Sequence, residues 1–248
     1  MYRIILSADE NKDYIEMLPY VYAGWKKFFP EFEITIARVI NTDNLYNVNN
    51  TNIFNLLNIS CSANQAKLAR FYLASQYPDD ICMIHDIDSI CLQREYYFSR
   101  LQKRKENNLL TMGYDFYKET KNTGKFPIGY MTAEGKIFNE IFNVGNKSWH
   151  EWIHYIADLK GISVKENIKN PFKIFSDESL IKFLLKNWKG KIQNLPLDYV
   201  LKEDCICRWR GINLKKLQEN GYIEAHHLIP FSKYKEYFKI IKTYLDMI

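Results

Sequence analysis

Two aspartates separated by a single residue are the first feature of this sequence with a clear chemical use. Asp86 and Asp88 lie in the stretch MIHDIDSICL, with apolar residues on both sides. Because residues i and i+2 of a strand point to one face, both carboxylates reach the same cleft if the strand ends here. Two adjacent carboxylates repel each other unless a cation neutralises them. The pair therefore predicts a site for Mg²⁺ or Mn²⁺ with a diphosphate as a further ligand, although a solvated turn with two acids has the same spacing.

The elements around this pair alternate between strand and helix signals. YRIILS is an apolar run, DYIEMLPYVYAGWKKFF has apolar residues at helical spacing, and FEITIARVI alternates like a strand. ANQAKLARFYLASQ contains good helix formers, and ICMIHDIDSICL follows it as one buried strand. This order predicts an α/β fold with a mostly parallel sheet. Open sheets of this class bind ligands at the carboxyl ends of their strands, which is where the aspartates lie.

Composition narrows the class of protein. A chain of 248 residues with 47% hydrophobic content supports one sizeable core. The net charge of +5 suits a partner that carries phosphate but is not the dense basic patch of a nucleic-acid binder. Five scattered cysteines argue against a disulfide framework. With no signal peptide and no apolar run of membrane-spanning length, the expected location is the cytoplasm.

An apolar strand that ends in D-x-D, after a βαβ start and a helix with Lys and Arg, resembles the glycosyltransferases of the GT-A fold. The resemblance implies a single domain over residues 1–248, built on a Rossmann-type mixed, mostly parallel sheet flanked by helices, with a smaller acceptor-side lobe. Residues 1–92 would form the nucleotide-binding half and residues 93–248 the acceptor-binding half. It also implies Mn²⁺ or Mg²⁺ as cofactor, a nucleotide-sugar donor (a UDP-sugar is favoured), and a saccharide or lipid-linked acceptor.

The resemblance assigns the metal and catalytic residues. Asp86 would lie nearer the ribose and sugar, and Asp88 would bind the metal directly. Several such families take a third metal ligand from a late histidine. His226 and His227 would point to opposite faces of a strand, so only one of them can serve, and His226 is favoured. The D-E-S that opens a helix at Asp177 and Glu178 resembles the catalytic segment of retaining families related to the blood-group transferases and to glycogenin. The alternatives are a histidine that lies on the surface or packs in the core, and two acids that stabilise a helix dipole.

The donor site would draw on two further segments. Ser7, Ala8 and Asp9, at the end of the first strand, would hold the nucleobase and ribose. Lys67 and Arg70 share one helix face, and the resemblance implies that a basic residue there contacts the phosphate or sugar of the donor. Arg70 is favoured because it lies near the apolar stripe, and a solvated basic face is the alternative.

The acceptor site is expected in the stretch GKFPIGYMTAEG. Gly129, Tyr130 and Thr132 would line it with backbone groups and an aromatic platform for a sugar ring. The last predicted helix carries lysines beside an apolar stripe, which allows a peripheral contact with the inner face of a membrane, although docking on the core is the stronger interpretation.

Two other functions compete with sugar transfer. The first is a metal-dependent phosphoryl-transfer enzyme or nuclease that uses Asp86 and Asp88, which would need more carboxylates around two metals. The second is a non-catalytic protein that binds nucleic acid or a membrane surface, with strongly salt-dependent binding. The interleaved acids argue against the second.

Overall fold

The computed structural model describes residues 1–41, 52–59, 62–113, 126–159, 177–196, 201–208 and 211–248. The strands are β1 (Tyr2–Asp9), β2 (Glu33–Ile40), β3 (Asn52–Leu57), β4 (Ile81–Ile84), β5 (Ser89–Cys91), β6 (Asn108–Met112), β7 (Met131–Glu134), β8 (Lys191–Leu195), β9 (Cys205–Cys207) and β10 (Glu224–His226). The helices are α1 (Lys12–Phe28), α2 (Ser62–Ser75), α3 (Arg94–Gln102), α4 (Gly135–Phe142), α5 (Trp149–Leu159), α6 (Asp177–Asn187), α7 (Leu201–Asp204), α8 (Leu214–Gln218) and α9 (Lys235–Met247).

Seven strands form a large sheet in the order β3-β2-β1-β4-β7-β6-β8. The first four strands of that order run parallel to one another, β7 is antiparallel to both of its neighbours, and β6 pairs in parallel with β8. The predicted mixed, mostly parallel sheet flanked by helices is therefore confirmed. Strands from residues 1–92 and from residues 93–248 both belong to this sheet. The assignment of nucleotide binding to the first half and acceptor binding to the second stays a prediction.

A small sheet of three strands, in the order β5-β10-β9, lies beside the large one. The stretch ICMIHDIDSICL was expected as one strand, and that expectation is wrong. It forms β4 in the large sheet and β5 in the small sheet. The amide of Ser89 donates to the carbonyl oxygen of Asp86 at 3.2 Å, closing a turn between the two strands. Asp86 and Asp88 consequently lie where the chain crosses from one sheet to the other.

Apolar side chains cover both faces of the large sheet. Ile4 and Leu6 of β1 belong to a core that includes residues of α1, α9 and the small sheet. Ile5 points the other way, into a core shared with α2, α4, α5 and α6. This alternation places the carboxyl ends of β1 and β4 at an edge between two packed layers, because a sheet buried on both faces leaves its strand ends as the accessible surface.

The last helix docks on the body of the protein. Phe238 and Ile241 of α9 are fully buried in the core that includes α1. Lys239 pairs with Glu236 at 2.7 Å, and Lys242 pairs with Asp246 at 2.6 Å, on the exposed side of the helix. Within the described ranges, no helix combines the length and the apolar character that a membrane span requires.

Candidate metal centre

Asp86 forms an ion pair with a buried arginine. The Nη1 atom of Arg70 in α2 lies 2.5 Å from Oδ1 of Asp86 and 3.2 Å from the carbonyl oxygen of His85. The Arg70 side chain is 3% exposed, whereas that of Asp86 is 37% exposed. Lys67, one turn earlier on the same helix, is exposed. The arginine therefore fixes one oxygen of Asp86, and the rest of the carboxylate stays accessible.

Asp88 meets two histidines from the end of β10. Its Oδ1 lies 3.5 Å from Nε2 of His226, and its Oδ2 lies 3.2 Å from Nδ1 of His227. The ligating atoms of these three residues all lie within 4.8 Å of one another. Of the metal-binding residues expected from the sequence, Asp88 and His226 are brought together, and Asp86 lies two residues away beside Arg70.

Both histidines reach the site because β10 ends between them. His227 has a φ of 58°, in the left-handed region, so the alternation of a strand stops after His226. The two imidazole rings stack with centroids 3.7 Å apart and planes 18° from parallel. The expectation that the two side chains point to opposite faces is therefore wrong, because it assumed an extended backbone through both residues.

A buried carboxylate that the sequence reasoning missed lies behind His226. Glu224 has no exposed side-chain surface, and its Oε1 lies 3.0 Å from Nδ1 of His226. Its Oε2 accepts hydrogen bonds from the hydroxyls of Ser89 at 2.7 Å and Tyr97 at 2.6 Å, and Oε1 accepts one from Tyr130 at 2.8 Å. No spacing signal pointed to Glu224, because Ser89 and Tyr97 are 135 and 127 residues away in the chain.

Charges in this cluster control the protonation of its members. Burial by itself raises the pKa of Asp88, but the two histidines beside it hold that pKa well below the usual range. Burial likewise lowers the pKa of His226, and the carboxylates of Glu224 and Asp88 overcome this and raise it well above its ordinary value. The same negative charges that retain a proton on His226 attract a divalent cation, which competes with the proton for the ring nitrogen.

The residues present fit a divalent ion. Nε2 of His226 is buried and has no hydrogen-bond partner. Its 3.5 Å separation from Oδ1 of Asp88 is too long for a good hydrogen bond. Two ligand atoms each about 2.1 Å from one ion lie about 3.0 to 3.4 Å apart for octahedral or tetrahedral angles. The 3.2 Å between Asp88 and His227 lies in this range and the 3.5 Å between Asp88 and His226 lies just above it, so the atom types suit a metal and a small shift gives the spacing.

The end of β1 lies near the same carboxylates. Ser7, Ala8 and Asp9 are all buried, and Oδ2 of Asp9 accepts a hydrogen bond from Ser62 at the start of α2 at 3.2 Å. Tyr14 in the first turn of α1 has its pKa raised to about 12, chiefly by burial and then by the charges of nearby carboxylates, namely Asp88, Asp9, Asp86 and Asp13. The carboxylates that follow β1 and β4 thus lie close enough together to act on the same tyrosine.

Part of the stretch expected to bind an acceptor lies against Asp86 and Glu224, beside the candidate metal centre. A Cβ atom on Gly129 would come within 2.7 Å of Oδ2 of Asp86, so the absence of a side chain there lets the backbone approach that carboxylate. Tyr130 donates to Glu224, and Thr132 is buried in β7, 4% exposed. Gly129 and Tyr130 are thus brought to the site, while Thr132 lies inside the large sheet.

The two acids assigned to catalysis open α6. Asp177 is the first residue of that helix, and its side chain lies outside the described part of the chain. Glu178 is partly buried. Leu180 and Ile181 of the same helix pack in the core that includes α2 and β4. The catalytic assignment of Asp177 and Glu178 stays a prediction.

Comparisons with known proteins bear on the fold. No family model and no curated protein matches the sequence. The chain is similar to an active-site variant of the galactosyltransferase LgtC, with 12% identity over 97% of this chain and 95% of that one, at a TM-score of 0.51. It is also similar to the glycosyltransferase GlyE of Streptococcus pneumoniae TIGR4, with 13% identity over 100% of this chain and 63% of that one, at a TM-score of 0.55. The chain therefore has the GT-A-like fold of these glycosyltransferases, as the sequence predicted.

Proposed function

We propose that this protein is a metal-dependent glycosyltransferase, a hexosyltransferase that moves a sugar from a nucleoside-diphosphate sugar to a hydroxyl group of an acceptor. The observation that carries the proposal is the group of Asp88, His226 and His227 at the carboxyl edge of the sheet, beside an Asp86 that Arg70 holds. Such an edge is the ligand-binding side of open α/β sheets. The GT-A-like fold supports sugar transfer as the chemistry.

The metal would be held by Asp88 and His226, with His227 as a further candidate ligand. When bound, a divalent ion neutralises the diphosphate and stabilises the charge that develops on it as a leaving group. An imidazole nitrogen among the ligands favours a transition ion, so we propose Mn²⁺ ahead of Mg²⁺. A UDP-sugar is the favoured donor.

Residues around the ion would orient the donor. Arg70 holds Asp86 in place by a charge-assisted hydrogen bond, which restricts that carboxylate to the side of the cleft facing a ribose or sugar. Ser7, Ala8 and Asp9 would complete the nucleoside pocket, because β1 ends next to β4 in the sheet. Lys67, which is exposed on the same helix as Arg70, would be a further contact for the donor phosphates.

Retention of configuration and the nature of the acceptor are further parts of the proposal. Asp177 and Glu178 would stabilise the oxocarbenium-like anomeric centre, as glycoside chemistry requires of nearby carboxylates. Gly129 and Tyr130 support an acceptor site near the proposed metal, since Gly129 lies against Asp86 and Tyr130 donates to Glu224, the carboxylate behind His226. The acceptor would be a saccharide or a lipid-linked sugar.

The competing functions gain no support from the described part of the chain. The single cluster of three metal-ligating side chains found there contains one carboxylate, whereas two-metal phosphoryl transfer requires several. A membrane contact through α9 has no support either, because its apolar side is buried against α1 and Lys239 and Lys242 are paired. A cytoplasmic location, expected from the sequence, stays a proposal.

The direct test is turnover with a panel of UDP- and GDP-sugars in the presence of Mn²⁺. We expect one donor to be hydrolysed slowly without acceptor, and this activity to fall at least 100-fold in Asp88→Ala, because a metal ligand is removed. Full activity of Asp88→Ala, or turnover that is unaffected by EDTA, would contradict metal-dependent transfer.

A further inference from the structure

We infer that Glu224 is a positioning residue that fixes the ring of His226 with Nε2 directed at the metal position. This inference rests on the proposed metal site and deepens it, because it names a residue that does not touch the ion or the donor. Three observations carry it: the burial of Glu224, the identity of its partners, and the unpartnered nitrogen on the far side of the His226 ring.

Glu224 is held in one orientation from several directions. The carboxylate lies in the central strand of the small sheet and has no exposed side-chain surface. Its hydroxyl partners come from three separate parts of the chain: Ser89 in β5, Tyr97 in α3 and Tyr130 just before β7. A buried carboxylate is expensive unless its oxygens are paired, and here each oxygen has at least two partners. Such a network leaves the carboxylate no freedom to rotate.

The contact with Glu224 decides which ring nitrogen of His226 carries the hydrogen. An ionised carboxylate can only accept hydrogen bonds, so Nδ1 of His226, 3.0 Å from Oε1 of Glu224, carries the hydrogen. In the neutral ring the other nitrogen, Nε2, is then the one with a lone pair. Nε2 is buried, lacks a hydrogen-bond partner and faces Asp88. Carboxylates that accept a hydrogen bond from a metal-binding imidazole, without touching the metal themselves, orient the ring and strengthen metal binding.

The same argument separates His226 from His227. His226 is 9% exposed and held from behind, whereas His227 is 37% exposed and reaches Asp88 through Nδ1. The two rings are stacked, and the ring of His226 is the one in contact with the buried carboxylate of Glu224. Glu224 thereby selects His226 as the ligand that is in place before the ion arrives.

The test measures binding of Mn²⁺ alone, without nucleotide or sugar, by electron paramagnetic resonance of the free ion. We expect Glu224→Gln to weaken Mn²⁺ binding about 10- to 100-fold, because a neutral amide can donate to Nδ1 and so reverse the tautomer. The matched control is Glu134→Gln. Glu134 is also a largely buried glutamate, paired with Arg104 at 2.7 Å. It is the last residue of β7 and pairs with Ile81 at the start of β4, the end of that strand away from the site.

The control should lower the melting temperature and leave the affinity for Mn²⁺ unchanged. A Glu224→Gln variant that binds Mn²⁺ within twofold of the unchanged protein would overturn the inference, as would an equal loss in Glu134→Gln. Because the comparison uses the metal alone, a protein that binds Mn²⁺ but turns over no nucleotide sugar would count against the proposed function and not against this role.

A second measurement does not depend on the variant folding. Long-range ¹H–¹⁵N correlation spectra of the metal-free protein at a pH where the ring is neutral, assigned with a His226→Gln sample, report which ring nitrogen carries the hydrogen. We expect hydrogen on Nδ1 of His226. Hydrogen on Nε2 would show that Glu224 does not set the ring in the required form, and the inference would be wrong.

Discussion

At the scale of single residues, the candidate site gathers buried carboxylates that are each paired with an arginine or a histidine. Asp88 is 12% exposed and faces two imidazoles, and Asp86 shares its charge with Arg70. Burying carboxylates together is costly unless each is paired or bound to an ion. Their spacing in the sequence was enough to predict a candidate metal site, which the grouping of Asp88 with two histidines supports. It was not enough to predict Glu224, whose partners are remote in the chain and whose strand gave no sign of a buried acid.

Arg70 offers a prediction at this scale. Replacing it by methionine removes a charge-assisted hydrogen bond from Asp86, and such bonds are worth about 1.5 to 3 kcal/mol. We expect Arg70→Met to bind the preferred nucleotide sugar about 10- to 100-fold more weakly, measured by calorimetry with Mn²⁺ present. The matched control is Arg104→Met, which breaks another buried pair, with Glu134. If both variants lose affinity equally, Arg70 has no specific part in the donor site.

At the scale of elements, the break between β4 and β5 places the site. An uninterrupted strand through His85 would keep Asp86 and Asp88 in one sheet. The structure instead ends β4 at Ile84 and begins β5 at Ser89, in a second sheet whose central strand, β10, brings the histidines. The sequence predicted the apolar run and its direction. It could not predict the break, because both strands are equally apolar and the turn depends on pairing with a strand far along the chain.

The packing of α1 against β5 tests this arrangement. A Cβ atom on Gly24 would lie 2.8 Å from the carbonyl oxygen of Cys91, a backbone atom that cannot move without shifting β5. We expect Gly24→Ala to destabilise the protein by about 1 to 3 kcal/mol in urea denaturation, because overpacking strains the contact. Gly211→Ala is the control, since its Cβ would meet Tyr237 at an ordinary 3.8 Å. Equal stability of the two variants would show that α1 does not press on β5.

At the scale of the whole molecule, two sheets and two cores bring the ends of β1, β4 and β10 to one edge. The α/β class and the mostly parallel sheet followed from the alternation of strand and helix signals in the first ninety residues. The antiparallel β7 and the small sheet did not, because short strands without regular periodicity are ambiguous in a single sequence. Solved glycosyltransferases with the same fold, at 12% and 13% identity, show that this architecture tolerates almost complete replacement of its residues.

The measurement that tests the central claim most directly is thermal unfolding with a panel of nucleotide sugars, each with and without Mn²⁺. A ligand that binds only the folded state raises the melting temperature, and the rise grows as the ligand concentration increases relative to its Kd. The account predicts that at least one nucleoside-diphosphate sugar raises the melting temperature with Mn²⁺ present. It also predicts that this rise disappears without the metal and in Asp88→Asn. A rise of the same size without Mn²⁺, or no rise with any donor, would contradict a metal-dependent nucleotide-sugar site at Asp88.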